Sequence, residues 1–475
     1  AFGLYKFMFT DSTWNIQRGE FGYRKYKPAK LMELFNNVAY INVNHSLNSF
    51  LTRSLQVDSC EKIIQHQLEK LKENPHLHDS IEFNISRSSY VFDTEGEFAI
   101  EYKDIISPEE IHKWHQDLIE IDSLNKSTLE KNNETMLRAF SLLDGNFKYS
   151  KKENIKFIRD NMALPFTHHS RLGFVYFAQL NNLLRKDVIT EAQKNSLLLS
   201  VKSISTKMKS DAYQVKLGKK SLSSFLDIYG HIRAGNYNLS SSNLKNNLEF
   251  TELLVHNSEP QDENISLQKV IFSNIDKYFE LNNIPYTASA WVEMFQTAIA
   301  TRENSKFYYT KGIDGILNEI EKHNISDEQL FQRLNIEFNQ ENTINLDLKN
   351  TLMPDLISSS DDFYLYEEMS KDGNYIGQGT VSGKVLLLDK YSNQPYDLDN
   401  KIVVIPAADP GWDWIFNYKI KSLITQYGGP NSHMAIRCAE HNIPAILGVG
   451  ESNFSMISAS QSLSIDFSNE SFAIV

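Results

Sequence analysis

Thr425-Gln426-Tyr427-Gly428-Gly429-Pro430-Asn431-Ser432-His433-Met434-Ala435-Ile436-Arg437 reads in order as a buried strand, a glycine turn and the start of a helix. The two glycines lack Cβ atoms, so backbone amides in the turn can approach a ligand closely. Ser432 is a good N-cap and places His433 in the first turn of the helix. Free N–H groups and a partial positive charge at that end favour a dianionic group on the imidazole and disfavour the protonated ring. A neutral imidazole, with an ordinary pKa of about 6.5, is a competent nucleophile near neutral pH. Arg437 follows four residues later on the same helical face, where it could screen the charge of a transferred group or reach a donor phosphate. The bland alternative is plain strand-to-helix chemistry in which His433 is incidental.

Around this stretch the C-terminal residues form short apolar or β-branched runs separated by Gly, Pro and Asp. Val381–Leu388, Lys401–Pro406, Ser422–Gln426 and Ala445–Val449 read as strands, with one helix from about Ser432 to about His441. The texture changes at the polar stretch 358–362, which reads as a linker. Upstream, apolar residues recur at three and four positions from about residue 100 to about residue 340. Ser107 with Pro108 opens a helix running towards Leu143, and Thr190 to about Tyr229, Leu267–Leu281 and Thr287–His323 read the same way. Residues 1–100 are mixed and aromatic-rich, with strands expected at Ile81–Ile85 and Ser89–Phe92. The expected architecture is multidomain: a mainly α-helical middle or substrate domain over residues 1–357, then an α/β domain over 358–475.

At 475 residues the chain is longer than one core usually supports. Its 41% hydrophobic and 23% charged residues are those of a globular protein, and a formal net charge of −12 argues against a nucleic-acid partner. Two cysteines, Cys60 and Cys438, are too few for a disulfide framework and fit a reducing cytoplasm. No stretch approaches the roughly 18 consecutive apolar residues of a membrane span. The opening Ala1-Phe2-Gly3-Leu4 reads as the interior of a longer polypeptide.

The stretch Thr425–Arg437, followed by Ile443-Pro444-Ala445-Ile446-Leu447-Gly448, resembles the signature of the swivelling phosphohistidine domain of phosphoenolpyruvate-utilising enzymes. Gly379-Thr380-Val381-Ser382-Gly383-Lys384-Val385 resembles that domain's opening strand, and Asp409-Pro410-Gly411-Trp412 the segment before its Gly-Gly strand. The resemblance implies that His433 accepts a phosphoryl group, supported by Thr425, Gly428, Gly429, Ser432 and Arg437. Pro430 and Asn431 fill the variable positions, and Cys438 stands where a small residue is usual. In the family the swivelling domain is charged by an ATP-grasp domain that binds ATP and Mg²⁺. Neither a P-loop nor the loops and acidic ligands of such a domain are found here. The donor is therefore expected upstream on the same polypeptide or as a separate protein.

Phe9–Trp14, Asn74–His78, Leu164–Arg171 and Tyr229–Gly235 are similar to the middle region of proteins associated with surface polysaccharide, nearest to the L-glutamine kinases that supply phosphoramidate for the capsule. That resemblance implies transfer through His433 to the amide nitrogen of L-glutamine, with AMP and phosphate released. A small acceptor of this kind needs a carboxylate clamp and cationic donors around the phosphoryl group. His168, His169, Arg171, His231, Arg233, Arg302, Glu303 and Lys306 are the residues expected to line its site, with Glu303 as general base. The alternative for Arg302, Glu303 and Lys306 is a solvated helix face. His168-His169 and His76-x-His78 lack the geometry or third ligand of a metal site, and none is expected. His112 and His115 read as surface residues, and Phe307-Tyr308-Tyr309 as packing. Two other functions remain open: a phosphohistidine kinase of a larger molecule such as an antibiotic, and a non-catalytic scaffold that retains the fold.

Overall fold

The computed structural model describes residues 2–25, 30–35, 38–78, 81–143, 147–233, 237, 242–256, 258, 267–336, 356–358, 373–388, 397–408, 410–429 and 432–475. The linker expected at residues 358–362 lies outside them except for Ser358. The chain divides into two compact units: Ala1–Leu77, Ile81–Glu191 and Gln268–Met353 form the first, and His78–Ser80, Ala192–Leu267 and Pro354–Val475 the second.

The first unit is helical apart from a two-stranded antiparallel ribbon, β1 (Met32–Phe35) and β2 (Val38–Ile41). Its frame is three long helices, Pro108–Leu142, Leu164–Arg185 and Ala288–His323, packed on one another. Their ends carry the expected chemistry. Ser107 accepts the amide of Glu110 at 3.3 Å with Pro108 at the first helical position, and Thr287 accepts that of Ala290 at 3.2 Å. Asn324 closes the third helix in the left-handed region at φ 47°. Phe92, Phe279 and Trp291 meet edge-on between the helices, and the indole of Trp291 donates to Gln179 Oε1 at 2.9 Å.

Neither strand expected in residues 81–92 forms. Ile81–Ile85 is a π-helical turn, closed by the amide of Ser86 donating to the Ile81 carbonyl at 2.8 Å. The segment after it is irregular because side chains, not a neighbouring strand, satisfy its carbonyls. Arg171 and Tyr23 donate to Ser88, Gln179 to Tyr90, Asn182 to Val91, and Tyr278 to Phe92 at 3.2 Å. Phe92 itself sits at φ 65°, outside any ladder. His115, read from sequence as a surface residue, is buried, with Nε2 3.1 Å from the Asp93 carbonyl. His112 is exposed, as expected, beside Glu95.

In the second unit, the helical run expected from Thr190 to about Tyr229 is three helices, Glu191–Leu199, Ile204–Lys216 and Leu222–Tyr229. Ser203 and Ser221 cap new starts, and Gly218 at φ 71° ends the middle helix. The C-terminal part is a mixed seven-stranded sheet of β3 (Asn374–Ile376), β4 (Thr380–Leu387), β5 (Lys401–Ala407), β6 (Ser422–Tyr427), β7 (Ala445–Leu447), β8 (Ser462–Asp466) and β9 (Ser471–Ile474). Their spatial order is β3-β7-β6-β5-β4-β8-β9, with the four central strands parallel and the flanking ones antiparallel. β5 and β6 are covered on both faces, which is why they read as unbroken apolar runs. Ile402, Val404, Ile424, Ile446, Leu463 and Ile465 form the core of one face. The edge strands β3 and β9, and β8 beside β9, are half-polar and short and carry too little signal to be read from sequence.

Arg171 ties three parts of the first unit together. Its guanidinium donates to Tyr23 Oη at 3.0 and 2.7 Å, to the Ser88 carbonyl at 2.6 Å and to the Glu82 carboxylate. Replacing it strands those acceptors in a buried setting, so Arg171→Met should lower stability by about 3 kcal/mol. An unfolding free energy from urea titration that falls by less than about 0.5 kcal/mol would contradict this role.

Candidate active site

The sheet's parallel strands end at a junction that Thr425 holds together. Its hydroxyl accepts the Gly448 amide at 3.1 Å, and its carbonyl accepts the amides of Gly448 and Val449, each at 3.0 Å. The end of β6 is thereby fastened to the turn after β7, and Thr425 is fully buried. Two glycines make the approach possible. Gly428 sits at φ 137°, and a Cβ there would stand 2.4 Å from the Cβ of Ala408. Gly448 sits at φ 71°, with its missing Cβ 2.5 Å from the Gly428 carbonyl oxygen. The Gly429 carbonyl then accepts the amide of Ser432 at 3.0 Å.

Ser432 caps the helix His433–Glu440, its hydroxyl accepting the Ala435 amide at 3.3 Å. His433 is therefore the first residue of the helix, at its electropositive end. The imidazole of His433, and Pro430 and Asn431, lie outside the described residues. Arg437 is buried, its guanidinium carbon 5.6 Å from the centre of the Phe416 ring. His441, which closes the same helix, stacks on Phe416 at 5.1 Å and 15°, and the Lys209 ammonium reaches its Nε2. Burial, then the charges of Lys209 and Arg437, holds His441 well below its usual value, so the ring is neutral.

The residues expected around the acceptor fall in both units. His231 and Arg233 are buried in the second. The others are in the first, where Arg302 and Glu303 are buried rather than solvated, their charged ends 4.0 Å apart. Arg302 crosses Gly173 of the Leu164–Arg185 helix, where a Cβ would stand 2.9 Å from its Cδ, and its guanidinium lies over Phe174. Lys306, on the same helix, is half-buried. His168 is buried with Nε2 2.9 Å from Glu20 Oε2, and its ring stacks on Phe21. Burial lowers its pKa against the pull of Glu20. His169, 1% exposed, is pushed down to about 4 by burial and then by His168.

Sequence reading passed over Arg18, one helical turn beyond Trp14 and its neighbour through a cation–π contact of 5.4 Å. Burial and the charge of Arg171 push Arg18 down to about 9. The signal was available: Phe9–Trp14 stood out, and the helix Thr13–Phe21 carries Gln17, Arg18 and Glu20 directly after it. Among the described residues no three His, Cys, Asp or Glu side chains gather as a metal site, and no helix is long and apolar enough to cross a membrane.

Comparison with known proteins bears on the second unit. Residues 398–470 match the family described as PEP-utilising enzyme, mobile domain. The rifampicin phosphotransferase of Bacillus cereus is 32% identical over 74 residues, 16% of this chain and 8% of that protein. The phosphoenolpyruvate synthase of Helicobacter pylori is 32% identical over 83 residues, 18% of this chain and 10% of that protein. The matched segments thus span about a tenth or less of these curated relatives. They support the PEP-utilising family, and phosphotransfer through a phosphohistidine as its chemistry.

A buried histidine held neutral makes stability fall in acid. Its unfolded form binds a proton below about 6.5 that the native ring refuses until about 4, so stability drops as pH falls through that window. His169→Gln should remove up to about 1.4 kcal/mol per pH unit of that slope. Identical slopes in the two proteins, from urea unfolding at pH 7 to 4.5, would contradict a neutral His169.

Proposed function

We propose that this chain carries the acceptor and carrier parts of an ATP-dependent phosphotransferase that works through phospho-His433, with L-glutamine as acceptor. The carrier half of this reading is supported by the family match over residues 398–470 and by a glycine turn that leads into a capped helix beginning at His433. Glutamine rests on the resemblance of Phe9–Trp14, Asn74–His78, Leu164–Arg171 and Tyr229–Gly235 to the L-glutamine kinases.

In the first step a ring nitrogen of His433 attacks the phosphorus of the donor. A P–N bond forms, and the bond to the donor's bridging oxygen breaks and leaves its electron pair there. ATP and Mg²⁺ belong to an ATP-grasp domain, in cis or separate. The dikinase stoichiometry then yields AMP, with the remaining phosphoryl group passing to water as phosphate. In the second step the amide nitrogen of glutamine attacks the same phosphorus, the P–N(His433) bond breaks, and the imidazole regains its electron pair. The amide proton must leave to a base. Glu303 is the proposed acceptor of that proton, and Arg302, whose guanidinium is 4.0 Å from it, is the proposed partner of the phosphoryl oxygens. His168, His169, Arg171 and Lys306, of the same unit, complete the proposed acceptor set there, while His231 and Arg233 belong to the other unit. In-line transfer needs approach within roughly 3–3.5 Å, which one fixed ring cannot offer to both partners, so the carrier domain must swing between them.

A second reading, an antibiotic kinase, draws on the identity to a rifampicin phosphotransferase. That identity covers 74 residues, 16% of this chain, and leaves the acceptor unaddressed. Intact-protein mass spectrometry at alkaline pH separates the possibilities, using the ATP-grasp partner with Mg-ATP. His433 should gain one phosphoryl mass that L-glutamine removes, and His433→Asn should gain none. Glu303→Gln should load normally and discharge slowly. A phosphoryl mass that glutamine leaves in place rejects the acceptor. No gain in mass rejects the carrier.

A further inference from the structure

Two guanidinium groups in the first unit share one aromatic ring. The carbon of Arg18 lies 4.4 Å from the centre of Phe50, and that of Arg171 lies 5.0 Å from it. Their surroundings differ. Arg171 is buried and engaged by Tyr23, Ser88 and the Glu82 carboxylate. Arg18 is half-buried, and among the described residues its hydrogen bonds run from Nε to Ser49 Oγ at 3.3 Å and from Nη1 to Gln17 Oε1 at 2.7 Å. Among the described residues no carboxylate pairs with it. Glu20, two residues on, is turned to His168.

Gln17 is the second observation. The side chain is 1% exposed, and its Nε2 has no hydrogen-bond partner among the described residues. The amide orientation is fixed, because a flip would set its NH₂ donors against those of Arg18. Among the described residues, the second N–H pair of Arg18 and the buried NH₂ of Gln17 thus have no acceptor, and the bond from Arg18 Nη1 to Gln17 Oε1 ties the two groups together. Leaving a buried donor unsatisfied is costly, and a like-charged neighbour adds to the cost. Both costs vanish when an anion sits there.

We propose that Arg18 and Gln17 bind the carboxylate of the acceptor. A planar monoanion fits because Glu82 already offsets Arg171, which leaves one net positive charge, and because a guanidinium fork matches the two carboxylate oxygens. Trp14 and Phe50 form apolar walls beside it, suited to the aliphatic part of a small amino acid. With L-glutamine as probe, this inference rests on the acceptor proposed above.

Trp14 lies against Arg18 and so reports on the site by its fluorescence. Without nucleotide, the full chain should show a saturable change with L-glutamine that Trp14→Phe abolishes. L-Glutaminol, which has no carboxylate, should bind at least ~10-fold more weakly. Arg18→Met should weaken L-glutamine by ~10- to 100-fold and Gln17→Leu by several-fold, with Arg18→Lys restoring part of the loss. Near-UV circular dichroism confirms that each variant is folded. Unchanged affinity in both Arg18→Met and Gln17→Leu would overturn the inference and leave the acceptor standing. Inorganic phosphate that displaces L-glutamine at lower concentration would make this a phosphoryl site and overturn it as well. No binding of L-glutamine by the folded wild-type chain would sink both the inference and the acceptor, without touching the carrier role of His433.

Discussion

The Thr425 side chain and carbonyl, accepting the amides of Gly448 and Val449, are the constraint on which the C-terminal sheet depends. Strand ends in a parallel sheet otherwise diverge into independent loops. Here the fastening brings Gly428 against both Ala408 and Gly448 at separations no side chain would allow. With the turn fixed, the chain can leave β6 only in one direction, and Ser432 caps the helix at once. The positive end of that helix is then set over the carboxyl ends of the central strands, the region where open α/β sheets place their ligands. Position of His433 follows from packing, and its chemistry follows from position.

The first unit solves a different problem, that of keeping many polar groups inside a helical body. Arg171, Tyr23, Gln179 and Asn182 supply donors to the carbonyls of residues 88–91, a segment with no strand beside it. Such a network is stable when complete and costly when one member is missing. Against that background, Arg18 and Gln17 stand out because their donors have capacity that the protein leaves unused. The two histidines of Leu164–Arg185 share the same interior, and burial lowers the pKa of both.

Much of this was legible in the chain itself. Caps at Ser107 and Thr287 announced two of the longest helices, and the apolar runs of β5 and β6 announced a doubly covered sheet. Glycines, Ser432 and His433 appeared in an order that carries its own chemistry. The failures have physical reasons. Ile81–Ile85 and Ser89–Phe92 have strand composition, but the first closes on itself as a π-helical turn, and the carbonyls of Tyr90 and Val91 in the second take side-chain donors more than 80 residues away, which no local pattern reveals. His115 looked solvated because its burial depends on Asp93 and on Tyr90 and Phe98 packing over it. For Arg302 and Glu303 a solvated helix face was the alternative to a site, and it is excluded because the small Gly173 opposite lets Arg302 lie inside. Arg18 follows directly on Phe9–Trp14 in the sequence, but its company with Phe50 and Arg171 is long-range and no local pattern shows it.

The central claim is that this junction makes one histidine of 13 a phosphoryl acceptor. Incubation of the chain with phosphoramidate, a small donor that needs no enzyme partner, followed by fragmentation mass spectrometry under alkaline conditions, tests it most directly. The account predicts phosphorylation at His433 well ahead of every other site. Label spread over exposed histidines such as His112 and His323, with His433 no more reactive than they are, would contradict it.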